Sequence, residues 1–280
     1  MTDLDTVGQT ALGVAYVRAY ESRLPNPLFT DPIATAIFDE NAAPPIIGDA
    51  SKPDSVEGLS DDDERKLMYY WIVGRTVFLD DVCALAAKQG VKQYVILGSG
   101  LDARAFRLDL GEGAVVYEVD RPDVADAKES IIDEHSLTPR NERRVVRTDL
   151  TDDWLRALED TGFRADLPTC WIVEGVLVYL DDDVVSRVIE GIAGATEQGS
   201  HLGVTLRGHH NAGIDDSAFA PIRELWHDNP GIPKEFARSG WNCTLSDNRT
   251  ILGAHGRRVA STPVSATLLG GVWRGIEAHR

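Results

Sequence analysis

The sequence predicts an α/β protein built on a mostly parallel, doubly wound sheet that ends in an antiparallel hairpin. From residue 91 onward, short runs rich in β-branched residues alternate with helical segments, which is typical of consecutive strand–helix–strand units. A glycine turn, Gly98-Ser99-Gly100, follows the first of these strands, and Asp120 ends the second. The extended segments after residue 240 favour a closing hairpin, because the last of them has no helical crossover before it.

The N-terminal third is predicted to form a helical cap and a lead-in helix. Apolar residues recur with helical spacing over residues 8–23. Asp31 and Pro32 have the residue types of an N-cap and a first helical position, so a second helix should begin there. Residues 41–60 are rich in proline, glycine and polar residues, as in surface loops. A long helix over residues 61–89 is apolar enough to be partly buried beside the sheet.

The central segment is predicted to supply five parallel strands. These strands span residues 94–97, 114–119, 143–147, 169–173 and 201–206. Helices are predicted between the later ones, over residues 122–134, 152–161 and 181–196. Ligands of doubly wound sheets bind at the carboxyl ends of the strands. The acids that follow three of these strands, Asp120, Asp149 and Glu174, are therefore candidate site residues.

Beyond residue 207 the alternation of strands and helices stops. Residues 208–240 are polar and irregular, apart from one short predicted helix over residues 217–227. Extended segments follow at residues 242–246, 258–261 and 266–277. The predicted organisation is a helical cap at residues 1–90, a cofactor-binding core at 91–207, a substrate-side insertion at 208–240 and C-terminal strands at 241–280.

Composition and charge argue against several classes of protein. The chain is 43% hydrophobic and 26% charged, and no run reaches the roughly 18 apolar residues of a membrane helix. The N-terminus lacks the basic and apolar regions of a secretory signal, so we expect a cytoplasmic protein with no membrane partner. The formal net charge of -17 would repel nucleic acids and anionic membranes. The sequence leaves the oligomeric state open.

Cysteine and histidine spacing does not predict a metal site. Cys83, Cys170 and Cys243 are far apart and form no CxxC pair, so neither a disulfide framework nor a zinc site is indicated. The sequence has no HExxH pattern either. We therefore expect buried free thiols and no catalytic metal.

The glycine turn and Asp120 predict a nucleoside cofactor. The glycines let the backbone approach a ligand closely, and a carboxylate about 20 residues later can accept both ribose hydroxyl protons. Ala103 stands where a dinucleotide site has its third glycine, and Asp102 would repel a pyrophosphate. A nucleoside with a positive charge and no phosphates is favoured instead, and S-adenosyl-L-methionine has these properties. An NAD-dependent dehydrogenase is disfavoured.

An ordered set of short motifs carries a resemblance to a known family. The motifs are Arg18, Asp31-Pro32, Arg75-Thr76 with Leu79-Asp80, LGSGLDARAFR (97–107), YEVDRP (117–122), TDL (148–150) and EGVLVYL (174–180). Together they resemble the leucine carboxyl methyltransferase superfamily, and most closely its bacterial, polyketide-associated O-methyltransferases of the tetracenomycin carboxyl-methyltransferase type. The resemblance covers about residues 10–207. It implies a class I methyltransferase, Rossmann-like fold with a seven-stranded sheet, and S-adenosyl-L-methionine as cofactor.

The resemblance implies cofactor-binding roles at the glycine turn and on the long helix. Arg75 would pair with the carboxylate of the cofactor, and an arginine within an apolar run needs such a partner if it is buried. Gly98 and Gly100 would admit the methionine moiety. Asp120 would hold the ribose, with Glu118 on the same strand as the alternative.

Four further residues complete the implied site. Asp149 would accept the amino group of adenine while Leu150 covers the base, although Asp149 is also placed to cap the next helix. Glu174 would face the methionine end of the cofactor, with a helix cap as its alternative role. Arg18 would close the cofactor from the N-terminal segment, unless it is a helix-surface arginine.

The expected reaction is an in-line methyl transfer to a small-molecule acceptor. A sulfonium leaving group is already activated, so alignment and a dry pocket are the main requirements. A carboxylate acceptor is ionised near neutral pH and needs no general base, whereas a phenol or alcohol needs one. His209, His210 and His227 lie in the predicted substrate-side segment, and the adjacent pair His209 and His210 is the preferred candidate for that base.

Aromatic residues are placed to line an acceptor pocket for a flat, partly polar molecule. They are Tyr69, Tyr70, Trp71, Phe219, Trp226 and Phe236. For residues 69–71, packing of the cap onto the sheet is the alternative explanation. Two other functions stay open: protein carboxyl methylation, as in eukaryotic relatives of the superfamily, and non-catalytic nucleoside binding on the same fold.

Overall fold

The computed structural model describes residues 6–38, 64–206, 227, 229–257 and 267–273. The α-helices are α1 (Thr6–Ser22), α2 (Pro32–Ile37), α3 (Glu64–Lys88), α4 (Arg104–Arg107), α5 (Pro122–Glu134), α6 (Trp154–Asp160), α7 (Asp182–Gly194), α8 (Ile232–Arg238) and α9 (Asn248–Ala254). The strands are β1 (Gln93–Leu97), β2 (Val115–Asp120), β3 (Glu142–Arg147), β4 (Thr169–Val173), β5 (His201–Leu206), β6 (Trp241–Asp247) and β7 (Thr267–Trp273). A 3-10 turn, Leu177–Tyr179, follows β4.

The seven described strands form one sheet in the order β3-β2-β1-β4-β5-β7-β6. The first five strands are parallel, and β7 runs antiparallel between β5 and β6. The chain builds outward from β1 to β3 and then continues on the other side of β1 with β4. Such a switch point leaves a crevice at the carboxyl ends of the strands, where doubly wound sheets bind ligands. The predicted mostly parallel α/β fold with an antiparallel end is confirmed.

The strand register brings the candidate site residues to one edge of the sheet. The last residue of β1 is level with Val119 of β2 and with Val173 of β4. Gly98, Asp120 and Glu174 come next along their respective chain segments. Because the carboxyl ends of neighbouring parallel strands lie side by side, these three residues share one edge.

Two apolar layers enclose the sheet. Side chains of a strand alternate between its faces, so Val95 and Trp171 face the layer with α6, α7 and α8. Ile96 and Ile172 face the opposite layer, with α3, α4 and α5. Because both faces are covered, β1 and β4 are buried along their whole length, which is why they read as continuous apolar runs.

The N-terminal helices dock on α3 through aromatic rings and one buried carboxylate. Tyr20 of α1 makes an edge-to-face contact with Tyr69 of α3. Glu21 is buried beside them, accepts a hydrogen bond from the Tyr69 hydroxyl and pairs with Arg257 at 2.8 Å. Burial raises the pKa of Glu21. Tyr69 and Tyr70 lie in the apolar cluster between α1 and α3, so the packing explanation is confirmed for these two rings.

Two short helices, α8 and α9, were not anticipated by the sequence pattern. Each has seven residues, and about two turns give too little periodicity to recognise. A capping signal does precede α9, since the Asp247 side chain accepts a hydrogen bond from the N–H of Thr250 at 2.9 Å. The predicted loop at residues 41–60 and strand at 258–261 lie outside the described residues, as does the predicted helix at 217–227 apart from its last residue.

A close contact between β5 and α3 predicts the effect of an added methyl group at Gly203. A Cβ atom there would lie 2.6 Å from Cδ2 of Leu79, which is fully buried. Because a packed core resists such an insertion, we expect Gly203→Ala to lower the free energy of unfolding by about 1–3 kcal/mol. Chemical denaturation of both proteins measures the difference.

Gly194→Ala is the matched control for this prediction. Position 194 ends α7, and no described atom lies within 4 Å of an added Cβ there, so alanine should be neutral or stabilising. Equal unfolding free energies for the wild type and Gly203→Ala would contradict the packing of β5 against α3.

Candidate cofactor-binding site

The glycine turn after β1 passes close to the segment that follows β4. Gly98 and Gly100 have φ angles of +64° and +44°, in the left-handed region that favours glycine. A Cβ atom on Gly98 would lie 2.6 Å from Cγ2 of Val176. At Gly100, no atom of the described residues lies within 4 Å of an added Cβ. The turn is therefore packed against protein at Gly98 and has space beside it at Gly100.

Asp120 binds the backbone of the same turn. Its Oδ2 accepts a hydrogen bond from the N–H of Gly100 at 2.6 Å, and its Oδ1 accepts one from the N–H of Arg121 at 2.8 Å. Burial raises the pKa of Asp120, and these two hydrogen bonds oppose the rise. The carboxylate expected to hold the ribose thus lies against the turn expected to approach the cofactor.

Glu118, the alternative to Asp120, is engaged in ion pairs inside the protein. Its Oε2 lies 2.7 Å from Nζ of Lys128 and 2.8 Å from Nη2 of Arg143. Lys128 also donates to the carbonyl oxygen of Asp102 at 2.6 Å. Since the side chains of Glu118 and Lys128 are each only 1% exposed, this carboxylate is not accessible to a ligand. Asp120 remains the candidate for the ribose.

Glu174 is in contact with three arginine side chains where β4 ends. Its Oε1 accepts hydrogen bonds from Nη2 of Arg18 at 2.6 Å and Nε of Arg75 at 2.9 Å. Its Oε2 accepts one from Nη1 of Arg104 at 2.7 Å. Burial acts to raise the pKa of Glu174, but the charges of the arginines hold it well below its usual value. Glu174 is therefore ionised, and the helix-cap alternative is wrong because Val176 is the N-cap of the next turn.

Arg18 and Arg75 reach Glu174 from two different helices. Arg18, on α1, is only 6% exposed, so the explanation as a helix-surface arginine is wrong. Arg75, on α3, stacks its guanidinium on Trp71, with Cζ 4.8 Å from the ring centroid. Among the described residues, Arg75 donates a hydrogen bond through Nε, to Glu174. A Cβ atom added to Gly175 would lie 3.4 Å from Nη1 of Arg75. The outer nitrogens of Arg75 thus lie beside the segment after β4.

A further group of charged residues adjoins Glu174: Asp80, Asp102, Arg104 and Arg107. These residues are not among the site residues predicted from the sequence. Arg104 bonds the carboxylates of Asp80 and Asp102, and Arg107 binds Asp80 through both Nη atoms at 2.6 and 2.7 Å. The available signal was the presence of acids and arginines inside the otherwise apolar segments of α3 and α4, because buried charges need partners.

The surroundings of Asp102 contradict the expectation that its charge would repel a pyrophosphate. Asp102 is buried and its carboxylate is paired with Arg104, so its charge is neutralised locally. The helix after the turn, α4, is short. It has four residues, and Oδ1 of Asp102 accepts a hydrogen bond from its first N–H, that of Arg104, at 2.7 Å.

Asp149 and Leu150 follow β3 on the same edge of the sheet. Oδ1 of Asp149 accepts hydrogen bonds from the N–H and the hydroxyl of Thr151, at 2.8 and 2.7 Å. The side chain that caps α6 belongs to Asp153, so the helix-cap role expected for Asp149 is wrong. Leu150 is buried in the apolar layer that contains α6 and α7.

Of the three candidate general bases, His227 is within the part of the chain that the structure describes. His209 and His210 are outside the described residues. The backbone N–H of His227 donates to the carbonyl oxygen of Val178 at 2.7 Å, which anchors it beside the 3-10 turn after β4. Its ring Nδ1 lies 3.8 Å from Oδ1 of Asp181, and both side chains are exposed.

Within the part of the chain that the structure describes, no three or more side chains of His, Cys, Asp or Glu are grouped as a metal ion requires. No described helix has the length and apolar character needed to span a bilayer. The three cysteines are free thiols, with Cys83 and Cys170 buried and Cys243 half-buried.

The strand order and the edge that carries the glycine turn and the acids define a Rossmann-like methyltransferase fold. A protein from Thermobifida fusca, named as a methyltransferase, has the same fold in its crystal structure, with a TM-score of 0.50 and 17% sequence identity to this chain. The match covers 92% of this chain and 94% of that one.

Sequence comparison identifies the family. The family model described as leucine carboxyl methyltransferase matches residues 11–193. A Streptomyces avermitilis protein named as an S-adenosyl-L-methionine-dependent methyltransferase is 36% identical, over 95% of this chain and 94% of its own. A Mycolicibacterium smegmatis protein with the same designation is also 36% identical, over 90% of this chain and 87% of its own. The chain belongs to the leucine carboxyl methyltransferase family, and it is an S-adenosyl-L-methionine-dependent methyltransferase.

The described residues fit S-adenosyl-L-methionine as the cofactor. Its amino-acid part carries one positive and one negative charge, and Glu174 and the guanidinium of Arg75 place the complementary charges side by side. The space beside Gly100 leaves room for a ligand to approach the turn. The cofactor supplies a methyl group activated by a sulfonium.

The raised pKa of Asp120 predicts how cofactor affinity depends on pH. A carboxyl group with a raised pKa binds its proton at a higher pH than usual, and once protonated it attracts hydroxyl donors less. If Asp120 binds the ribose, affinity should be highest above the pKa of Asp120 and fall as pH drops through it, with a midpoint above about 4, the ordinary value for Asp. Calorimetric titration with S-adenosyl-L-methionine across this range measures the midpoint.

Asp120→Asn tests whether Asp120 causes the loss of affinity at low pH. The variant should bind S-adenosyl-L-methionine more weakly at neutral pH, and its affinity should depend less on pH because the titrating group is gone. Circular dichroism at each pH checks that both proteins stay folded. An unchanged midpoint in Asp120→Asn would show that another group titrates.

Proposed function

We propose that the chain transfers the methyl group of S-adenosyl-L-methionine to an oxygen atom of a small-molecule acceptor, a carboxylate or a phenol. The observation that carries the proposal is the cluster of Arg18, Arg75 and Arg104 around Glu174 beside the glycine turn. Support for an oxygen acceptor comes from the family description, which names carboxyl methylation. The motif resemblance to polyketide-associated O-methyltransferases supports a secondary metabolite as the acceptor.

The amino-acid part of the cofactor is assigned to the residues around Glu174. Arg75 and Arg18 would bind the carboxylate of the cofactor, because guanidinium groups match carboxylates in geometry and charge. Glu174 would bind its ammonium. Gly98 and Gly100 would let the methionine chain lie close to the backbone, and the space beside Gly100 is consistent with this.

The nucleoside part is assigned to the ends of β2 and β3. Asp120 would accept hydrogen bonds from the ribose hydroxyls while it stays bound to the turn. Asp149 would accept a hydrogen bond from the adenine amino group, and Leu150 would cover the base. These acceptors lie at the carboxyl edge, where doubly wound sheets bind their ligands.

The protein's contribution to the reaction is alignment and exclusion of water. A carboxylate acceptor is ionised near neutral pH, so no side chain has to remove a proton from it. A phenolic acceptor requires a base, and His209 and His210 are proposed for that role. His227 is the described alternative, held beside the turn after β4.

The assignment of Arg75 predicts a specific loss of cofactor affinity. Arg75→Ala removes a charged hydrogen-bond donor from the proposed carboxylate site, so binding of S-adenosyl-L-methionine should weaken by about 1–3 kcal/mol. Isothermal titration measures the change. Arg187→Ala is the control, because Arg187 forms an exposed ion pair with Asp183 on α7 and is not among the described partners of Glu174. Unchanged affinity in Arg75→Ala would remove Arg75 from the site.

A panel of aromatic acids and phenols tests the acceptor class. The purified protein is incubated with donor carrying a labelled methyl group, and release of S-adenosylhomocysteine is measured for each compound. Labelled methyl esters are hydrolysed by mild base whereas phenolic ethers are not, so base treatment identifies the oxygen that accepts the methyl group. We expect turnover with members of at least one of these two classes.

The same assay separates the competing functions. Label that enters protein in a lysate, with none in small molecules, would indicate protein carboxyl methylation instead. Donor binding with no S-adenosylhomocysteine formed in either experiment would indicate a nucleoside-binding module. If the acceptor is a phenol, His209→Ala or His210→Ala should lower turnover while cofactor affinity stays the same.

A further inference from the structure

The guanidinium of Arg104 is buried beside Glu174 and makes most of its possible hydrogen bonds within the protein. It makes four hydrogen bonds to described groups: Nε to Oδ1 of Asp80 at 2.9 Å, Nη1 to Asp102 and to Oε2 of Glu174 at 2.7 Å, and Nη2 to the carbonyl oxygen of Thr76 at 3.3 Å. A guanidinium has five N–H donors, so nearly all of its capacity is used inside the protein. Its side chain is 2% exposed.

Arg104 binds a different oxygen of Glu174 from the one that Arg18 and Arg75 share. Those two arginines both donate to Oε1, whereas Arg104 donates to Oε2. Bonds to both oxygens fix the plane of a carboxylate, and bonds to one oxygen leave it free to rotate. Within the described ranges, Arg104 is the residue that supplies the bond to Oε2.

Two acids hold Arg104 in place. The carboxylate of Asp80, on α3, accepts a hydrogen bond from Nε of Arg104. It also accepts hydrogen bonds from both Nη atoms of Arg107. The carboxylate of Asp102 accepts hydrogen bonds from Nη1 of Arg104 and from the backbone N–H of Arg104. The guanidinium therefore has a fixed position between α3 and the end of β4.

We propose that Arg104 is a positioning residue, which fixes the carboxylate of Glu174 so that Glu174 can bind the amino-acid part of the cofactor. The inference rests on the ammonium-binding role proposed for Glu174. Arg104 acts through Glu174 because its own donors are engaged within the protein. Arg75 differs, since its outer nitrogens lie beside Gly175 and are placed to bind a ligand.

The charges around Glu174 agree with this role. Burial acts to raise the pKa of Glu174, but Arg18, Arg104 and Arg75 together hold it well below its usual value, so the carboxylate keeps the charge that an ammonium requires. Burial acts to lower the pKa of Arg104, and Asp102, Glu174 and Asp80 overcome this, so Arg104 stays charged as well.

Two ligands that differ in the amino-acid part separate a positioning role from a structural one. S-adenosylhomocysteine carries the ammonium and the carboxylate, whereas 5′-methylthioadenosine has the same nucleoside and lacks both. A variant that only misplaces Glu174 should lose affinity for the first ligand and keep it for the second. A variant that disturbs the whole site should lose affinity for both.

The variants are Arg104→Gln and Arg104→Lys, measured by isothermal titration with each ligand. We expect Arg104→Gln to bind S-adenosylhomocysteine about 10- to 100-fold more weakly, the range for a lost charged hydrogen bond, with less than about twofold change for 5′-methylthioadenosine. Arg104→Lys keeps the charge but cannot reproduce the planar donor set, so a smaller loss of the same selectivity is expected. If Arg104→Gln does not fold, the lysine variant carries the test.

Arg107→Gln is the matched control. Arg107 shares the helix α4 and the partner Asp80 with Arg104, and it has no bond to Glu174 among the described contacts. Arg107 acts on Glu174 only indirectly, through Asp80 and Arg104, so the affinity ratio of Arg107→Gln for the two ligands should change much less than that of Arg104→Gln. A ratio changed as much as in Arg104→Gln would overturn the inference.

The remaining outcomes are equally decisive. Equal losses for both ligands in the Arg104 variants, or no loss for either, would overturn the positioning role. Wild-type protein that binds 5′-methylthioadenosine as tightly as S-adenosylhomocysteine would overturn the proposed amino-acid site itself. The result does not depend on the acceptor, because no methyl transfer is measured.

Discussion

The carboxylate of Glu174 is the group on which the charged interior of this methyltransferase depends. Three guanidinium groups lie against it in a region with little solvent exposure. Taking such charges out of water is unfavourable, and removing one partner of a buried pair destabilises a protein by about 3–5 kcal/mol because a charge is left uncompensated. The segments that carry these residues, α1, α3, α4 and the end of β4, must therefore keep their relative positions. Buried ion pairs are poor sources of net stability, so their concentration at the ligand-binding edge of the sheet points to use in recognition.

In the proposed assignment, the N-terminal helices contribute side chains to the cofactor site. Arg18 and Arg75 come from α1 and α3, within the segment predicted as a cap, whereas Glu174 and Arg104 come from the predicted core. The core segment alone would hold a carboxylate and one internal arginine, without the two guanidinium groups assigned to the cofactor's carboxylate. The contact of Glu21 with Tyr69 and Arg257 fixes α1 on α3 and so keeps Arg18 within reach of Glu174. If these arginines bind the cofactor as proposed, docking of α1 on α3 and cofactor recognition are coupled through these side chains.

Much of the fold could be predicted from the sequence because its central strands are buried on both faces. Such strands are short continuous apolar runs, and the glycine turn and terminal acids mark where they end. The seven-residue helices α8 and α9 lack enough turns to show a period. Two of the partners of Arg104, Asp80 and Glu174, are 24 and 70 residues away, and no local pattern records a contact over such distances. The sequence shows the charge of Asp102, but it does not show that Asp102 is buried beside Arg104, two residues along the chain. The family resemblance supplied Arg18 as a candidate, and only the structure shows that it is buried.

The contact between Gly98 and Val176 has a consequence for how this enzyme can diverge. Gly98 follows β1 and Val176 follows β4, and these two strands are neighbours in the sheet. Because glycine has no Cβ, a methyl group of Val176 can occupy the space beside Gly98. Position 176 lies two residues beyond Glu174, so a larger residue at 98 would displace the backbone that carries the carboxylate. Substitutions at the two positions should therefore co-vary among descendants of this sequence.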